Sequence, residues 1–312
     1  MLFANGERTL GGGRLAWSIA FGGRFWWIVV ERTGLVLDTR WASGAKEASR
    51  PNACVYLLLE GEIELISPHP GKVSGPAAMI LTEEQLEGAN GARGLTYRAS
   101  GEPFLTLQIH FPKSMLAAEP PANASDPPVP LTLGHAAWEA AREVVATSKA
   151  SLETSDAPMQ TLVKALIAEG VVKAEASRPL VTKTPAPLEL LWKGIRPMVE
   201  RLYLTPTVEE VSTATGISVR QVDRYVSQFL ARFGHLGGSG WRMATRHMRL
   251  KLAVLWLSAD GVSVADVAAA TSYGSPDAMA RAFRDAGLPT PSKLQSELRN
   301  PVRGTDEDPK SS

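Results

Sequence analysis

The sequence predicts an α+β protein of several domains: an N-terminal antiparallel β-barrel, a helical linker, and a C-terminal all-α domain with two helix-turn-helix units. Short apolar runs separated by turn residues fill the first third of the chain, as is typical of antiparallel barrels and sandwiches. In the last third, Thr207 to Phe233 and Val262 to Gly287 each have the pattern of a short helix, a tight turn and a second helix.

The N-terminal strands are predicted from apolar runs at Trp26 to Val30, Leu35 to Asp38, Cys54 to Leu59, Ile63 to Ile66, Ala78 to Leu81 and Leu105 to Phe111. The clearest local pattern is Val55 to Ile66, where two apolar runs flank Glu60-Gly61 and glutamates alternate with apolar residues. Such alternation about a glycine turn predicts a β-hairpin.

A helical region follows a proline-rich stretch. Residues Pro112 to Pro130 contain six prolines, a composition typical of linkers. Apolar residues then recur at helical spacing in Ala136 to Ala146 and in Met159 to Ile167. A second proline-bearing stretch, Arg178 to Pro187, precedes a helix predicted over Leu188 to Leu204.

The first helix-turn-helix segment has a well-defined turn and two clear faces. Gly216 suits a left-handed turn position, and Ser218 can cap the helix that follows. In that helix, Val222, Val226 and Phe229 recur at core spacing. The side chains left on the outer face can reach the edges of bases; they are Arg220, Gln221, Asp223, Arg224 and Ser227.

The second segment repeats this plan. Ser275-Pro276 is a strong helix start, since serine caps and proline suits the first helical position. Met279 and Phe283 then point inward, while Asp277, Arg281 and Arg284 point outward, where the arginines can approach phosphates or guanines.

With these residues in place, the last third of the chain resembles the signature of AraC/XylS transcription regulators. That signature has an Arg-Leu pair, an alanine, a Ser-Ile-x-x-Ile-Ala helix, a Gly-Phe-Ser turn, a Phe-Ser-Arg-x-Phe helix and a closing Gly-x-x-Pro. The matching positions here are Arg249-Leu250, Ala253, Ser263-Val264, Val267-Ala268, Ser272 to Gly274, Met279 to Phe283 and Gly287 to Pro291. Upstream, Ser218 to Val226 is similar to the family's Ser-x-x-x-Leu-x-Arg-x-Phe.

The second unit departs from the family pattern at three positions. Ser272 replaces the usual turn glycine, Met279 replaces an aromatic residue, and Pro276 replaces a polar base reader. A serine in a left-handed turn costs about 1 kcal/mol. Asp277 is expected to pair with Arg281 one turn later. We therefore expect the first unit to specify the DNA sequence and the second mainly to anchor.

The resemblance implies a fold and partners. It implies two helix-turn-helix units joined by one long helix, with their recognition helices in successive major grooves about 34 Å apart. It also implies an N-terminal cupin-like domain and a homodimer formed by the linker helices. The residues leave a second interpretation of those helices open, in which they pack on their own barrel.

Composition and charge agree with a cytoplasmic DNA-binding protein. Residues 188–300 contain 14 Lys and Arg against 10 Asp and Glu, whereas residues 1–187 contain 17 against 19. The positive excess therefore coincides with the helix-turn-helix segments. A single cysteine, Cys54, fits a reducing compartment. No apolar run is long enough to span a bilayer, and no secretory signal is visible, so we expect no membrane partner.

A ligand pocket is expected inside the barrel, lined by aromatic side chains with a few polar anchors. The candidates are Trp17, Trp26, Arg40, Tyr97, Gln108 and His110. Trp26 and Trp27 are adjacent, so only one of them can face the interior of the barrel. Histidines in a metal-ligating pattern are not found, and we expect neither a metal, nor a cofactor, nor an enzyme activity.

The sequence thus predicts a sequence-specific transcription regulator that binds double-stranded promoter DNA and whose barrel senses a small-molecule effector or only dimerises. The expected domains are a barrel at 1–112, a linker at 113–187, a DNA-binding domain at 188–300 and a disordered tail at 301–312. Two alternatives remain: a protein-interaction adaptor with degenerate helix-turn-helix units, and a cupin enzyme fused to a DNA-binding domain.

Overall fold

The computed structural model describes residues 2–22, 25–41, 52–87, 95–150, 156–176, 184–202, 204–233 and 240–300. An antiparallel sheet occupies the N-terminal part, and helices occupy the C-terminal part, as the sequence predicts. The strands are β1 (Leu2–Leu10), β2 (Gly13–Gly22), β3 (Phe25–Thr33), β4 (Leu37–Asp38), β5 (Asn52–Ser67), β6 (Gly71–Ser74), β7 (Ala77–Thr82), β8 (Thr96–Pro112) and β9 (Val129–Leu131).

The sheet is open, so the expectation of a closed barrel is wrong. Its main path runs β1-β2-β3-β8-β5-β7-β9, with β4 beside β8 and β6 beside β5. A barrel requires the two end strands to pair with each other. Here a C-terminal helix packs along β1 instead: a side chain at Gly6 would run into the backbone carbonyl of Glu200. The helical part thus covers an edge that a barrel would close.

The prediction of a hairpin at Val55 to Ile66 is also wrong, because both apolar runs belong to the single long strand β5. Gly61 has a φ of +100° and lies at a register shift in the pairing of β5 with β8, between Glu60 and Glu62. The pairing with β8 is therefore irregular at this glycine, but β5 does not reverse its direction there. Glu60 pairs with Leu105 on one side of this glycine, and Glu62 pairs with Ser100 on the other.

The two faces of the sheet carry different cores. Trp26 and Trp27 point to opposite faces, as their adjacency predicts: Trp26 packs with C-terminal helices, and Trp27 packs with the linker helices. The linker helices are α2 (His135–Ala150) and α3 (Asp156–Ala168), which follow the short α1 (Glu83–Glu87). Val144 and Leu162 are fully buried against the sheet. The linker helices thus pack on the sheet of their own chain, which is the second interpretation that the sequence left open. The homodimer stays a prediction.

The proline-rich stretch also packs on the sheet. Leu116 is buried and forms an isolated bridge with Val172, and β9 pairs with β7. The N-terminal part therefore includes residues well beyond β8. The tail at 301–312 lies outside the described residues, as does most of Arg178 to Pro187.

The C-terminal helices share one core with the sheet. They are α4 (Ala186–Glu200), α5 (Val208–Thr215), α6 (Val219–Phe233), α7 (Trp241–Leu257), α8 (Val264–Ala270), α9 (Pro276–Asp285) and α10 (Pro291–Arg299). Phe21 of β2 lies 4.8 Å from the Phe229 ring of α6 and 5.5 Å from the Trp192 ring of α4, measured between centroids. These rings belong to one continuous cluster that extends to Phe283 of α9.

Candidate nucleic-acid interface

The first helix pair, α5 and α6, is defined by local hydrogen bonds. The backbone N–H of Glu210 donates to the hydroxyl of Thr207, and the Thr207 N–H donates to the Glu210 carboxylate, which caps α5. The helix ends at Gly216, whose φ of +70° confirms the predicted left-handed turn. Ser218 accepts from the Gln221 N–H and so caps α6, also as predicted.

Helix α6 separates its apolar and polar residues cleanly. Val222, Val226 and Phe229 are buried at no more than 4% exposure, as their spacing predicts. The opposite face carries exposed polar side chains: Arg220, Asp223, Arg224 and Ser227. With two guanidinium groups and one carboxylate, this face offers both donors and an acceptor. Those are the groups that distinguish base pairs in the major groove.

Two of the predicted base readers on α6 are engaged within the helix. The carboxamide oxygen of Gln221 accepts from the N–H and hydroxyl of Ser218, so this side chain belongs to the helix cap. The hydroxyl of Ser227 donates to the backbone carbonyl of Asp223. Arg224 rests beside Tyr225, with its guanidinium carbon 5.1 Å from the ring centroid. Arg220, Asp223 and Arg224 therefore remain as the principal candidates.

The second helix pair, α8 and α9, repeats the arrangement with one strained residue. Ser263 and Asp266 form a capping box at the start of α8, and the Ser263 hydrogen bonds lower the pKa of the Asp266 carboxyl. Ser272 in the turn has a φ of +57°, the left-handed conformation that the sequence predicts at the position of the family glycine. Ser275 then caps α9, with Pro276 in the first turn.

The outer face of α9 is exposed. Met279 and Phe283 are fully buried, and Asp277, Arg281 and Arg284 are exposed. Within the part of the chain that the structure describes, Asp277 and Arg281 do not form an ion pair, so that expectation is wrong. Both arginines are therefore available to a partner.

The connecting helix α7 fixes the second pair through Arg249, the arginine of the family-like Arg-Leu pair. Its guanidinium donates to the carbonyls of Thr271 and Ser272 at 3.1 and 2.7 Å. It also lies 4.2 Å from the centroid of the Tyr273 ring. Arg249 therefore ties the turn of the second pair to α7, and α7 shares one core cluster with α6.

A cavity of about 310 Å³ lies between the sheet and the C-terminal helices. The wall formed by the sheet includes Trp17, Phe21, Trp26 and Ile28, and the wall formed by α4, α6 and α7 includes Trp192, Phe229, Trp241 and Met248. Nearly all of these side chains are apolar. The cavity is therefore suited to an apolar molecule and contacts the core side of α6.

Four of the six predicted pocket residues line this cavity, although it lies outside the sheet and not inside a barrel. They are Trp17, Trp26, Gln108 and His110. Arg40 is elsewhere, paired with the buried Asp38 at 2.6 Å. Tyr97 packs in the core of β5, β7 and β8, where burial raises the pKa of its phenol. The sequence could not predict that the helix residues line a cavity, because their helical spacing indicates only that they are buried.

One end of the cavity is polar. His110 stacks on Trp26 with ring centroids 3.5 Å apart, and its Nδ1 lies 3.5 Å from the carboxylate of Glu83. The buried amide of Asn52 donates to Glu83 and to the carbonyl of Phe233, the last residue of α6. Through Asn52, the polar end of the cavity is therefore joined to the C-terminus of α6.

Helices that could cross a membrane and clusters of metal ligands are both absent from the described residues. Among the described residues, none of the helices is both long and apolar enough to cross a membrane. The same residues contain no group of three or more His, Cys, Asp or Glu side chains that could hold a metal ion.

Comparisons with known proteins give distant structural similarities. No family model matches the sequence, and no curated protein matches it. An apo variant of ToxT from Vibrio cholerae is 8% identical, with a TM-score of 0.35, covering 88% of this chain and 98% of its own. A second ToxT structure is 7% identical, with a TM-score of 0.34 and coverages of 87% and 98%. The AraC-like transcriptional activator CuxR is 11% identical, with a TM-score of 0.31 and coverages of 76% and 80%.

Proposed function

We propose that this protein is a sequence-specific, DNA-binding transcription regulator that reads two successive major grooves. The observation that carries the proposal is the pair of helix-turn-helix arrangements, α5-α6 and α8-α9, held in one core by α7. Each ends in a helix that buries its apolar face and exposes arginines on the other. Such a helix places donors where the base edges of a major groove lie.

The two helices have different roles in this proposal. On α6, Arg220, Asp223 and Arg224 combine donors and an acceptor, and they specify the sequence of the first half-site. On α9, Arg281 and Arg284 offer donors close to the phosphates and anchor the second half-site. Neither of the two α9 arginines is held by an ion pair in the described structure.

Selection from random double-stranded DNA at moderate salt tests the proposal. A regulator enriches a two-part site, whereas an adaptor that uses the helices to bind proteins enriches none. Arg224→Ala should weaken binding to the selected site by about 5- to 150-fold, the equivalent of one lost bidentate contact. Binding to unrelated DNA should change much less.

Arg142→Ala is the matched control. Arg142 is exposed on α2, on the far side of the sheet, and pairs there with Glu139. It should leave the sequence preference for DNA unchanged, because α2 belongs to neither helix-turn-helix pair. If Arg224→Ala retains both the affinity and the sequence preference of the unmodified protein, Arg224 does not read a base.

We further propose that an apolar small molecule acts as effector in the cavity between sheet and helices. Its support is the position of the cavity, which joins β2 and β3 to the core side of α6 and α7. A ligand there contacts both parts at once, so it stabilises the arrangement in which they are docked. This arrangement includes the recognition helix α6.

A fluorescent anilinonaphthalene sulfonate probe tests the cavity in the folded protein. Ala244→Leu places extra methyl groups in the wall of the cavity, since Ala244 is buried on α7 and lines it. We expect saturable probe binding that Ala244→Leu abolishes, while Ala214→Leu, at an exposed position of α5, keeps it. Equal binding by both variants and the unmodified protein would place the probe elsewhere.

The homodimer stays part of the proposal. Because α2 and α3 bury their apolar faces on the sheet, a contact between two copies through them must use their polar outer faces. Sedimentation over a concentration series tests it, and a strict monomer at all concentrations excludes a dimer in the absence of DNA.

A further inference from the structure

Val219 is an exposed apolar residue at the start of α6. Among the described residues, the large apolar side chains that are exposed are Val219, at 37%, and Met243, at 50%. The four core residues of α6, by contrast, are at most 4% exposed. Burial of apolar surface is favourable, so a partner that covers the exposed part of the Val219 side chain gains free energy.

The position of Val219 places it beside the base-reading candidates. It is the first residue of α6, immediately after the capping Ser218. Asp223 follows it by four residues and so lies on the same side of the helix, one turn further on. Arg220 is adjacent and exposed. The N-terminal residues of a recognition helix are the ones that enter the major groove most deeply.

The apolar side chain of Val219 limits which groups of the DNA it can recognise in the major groove. Its side chain has no donor or acceptor, so it cannot recognise a phosphate or a polar base edge. Thymine is the one base that presents an apolar group, its C5-methyl, in the major groove. A negatively charged residue would suit the start of a helix better but would repel DNA.

We propose that Val219 contacts the C5-methyl group of a thymine in the first half-site and so determines specificity at that base pair. This inference rests on the proposed function. With Arg220 as donor, Asp223 as acceptor and Val219 as apolar contact, the first turns of α6 present each of the three kinds of group that base edges display in the major groove.

Replacing single thymines by deoxyuridine tests this, because the exchange removes only the methyl group. The full-length protein is titrated with its selected site and with a series of sites that each contain one deoxyuridine. At one position in the first half-site, the exchange should weaken binding by about 3- to 5-fold, as expected for loss of one buried methyl group. Val219→Ala should bind the thymine site more weakly and should not respond to that exchange.

Met243→Ala is the control, because it removes another large apolar side chain that is exposed in the described part of the chain, on α7. It should keep the full response to deoxyuridine. Because the Val219 side chain is partly exposed, the Val219→Ala variant should fold normally, and circular dichroism checks this. If both variants respond to every exchange as the unmodified protein does, the inference is wrong although DNA binding stands. If the unmodified protein selects no DNA, the proposed function fails as well.

Discussion

The sheet and the C-terminal helices should unfold as one unit, because Phe21 joins them. Phe21 is 1% exposed, and its ring lies within 5.5 Å of three rings on the helices, those of Trp192, Phe229 and Phe233. A close aromatic pair contributes about 0.5–1.5 kcal/mol beyond burial of its area. We therefore expect Phe21→Leu and Phe229→Leu, measured as a double-mutant cycle, to show a coupling free energy of about 1 kcal/mol.

Urea unfolding followed by tryptophan fluorescence and by far-ultraviolet circular dichroism measures this coupling. Leucine is used because it is the apolar residue that leaves a small cavity, so each single variant should remain folded even though it loses its ring contacts, at about 0.5–1.5 kcal/mol each. Both signals should report a single transition at the same midpoint. A shared core permits no separate unfolding of the helices.

Phe25 provides the control cycle. It is fully buried on β3, but it belongs to the cluster on the opposite face, where it stacks on Phe111. The effects of Phe25→Leu and Phe229→Leu should add to within about 0.5 kcal/mol. A coupling near zero for Phe21 with Phe229, or two separate transitions, would refute the reasoning, since sheet and helices would then not share a core.

Three further predictions concern single residues. Ser272→Gly should raise the free energy of unfolding by about 1 kcal/mol, because it relieves the left-handed backbone at +57°; Ser258→Gly, with its helical φ of −77°, is the control and should not stabilise. Burial raises the pKa of the Tyr56 phenol, so the stability that its neutral form provides is complete below about pH 10 and is lost as the pH rises further. Tyr56→Phe should therefore flatten the alkaline loss of stability measured by urea unfolding, and an unchanged loss contradicts this assignment. Cys54 is fully buried and burial raises the pKa of its thiol well above the usual range, so an aromatic disulfide reagent should label it only at the rate of unfolding. Labelling as fast as that of a free thiol would show that β5 opens locally.

The helix-turn-helix pairs were predictable from the sequence because their determinants are local. Ser218, Gly216 and Ser275 act on hydrogen bonds within a few residues, and the structure shows each in the expected conformation. Apolar spacing likewise predicts which residues of α6 and α9 are buried, since a helix repeats every few residues. The same reasoning could not show that Gln221 serves the cap, because its partner depends on the rotamer of the side chain.

The pairing of strands was less predictable for a physical reason. A glycine between two apolar runs is compatible with a turn or a bulge, and the choice depends on which strand lies opposite. The long strand β8 pairs with both halves of β5 around Gly61, so β5 continues through this position as one strand. Strands β1 and β2 were not predicted either, because pairs such as Leu2 with Phe21 form only in the folded sheet.

The sequence by itself determined the class of fold, the two helix pairs and the arginines on their outer faces, because caps, turns and helical periodicity act over short distances. The tertiary structure decided that the sheet stays open, that Phe21 and Phe229 share a core, and that the cavity lies between them and not inside a barrel. Contacts between residues so distant in the chain depend on which surfaces bury each other, and only the complete fold sets that choice.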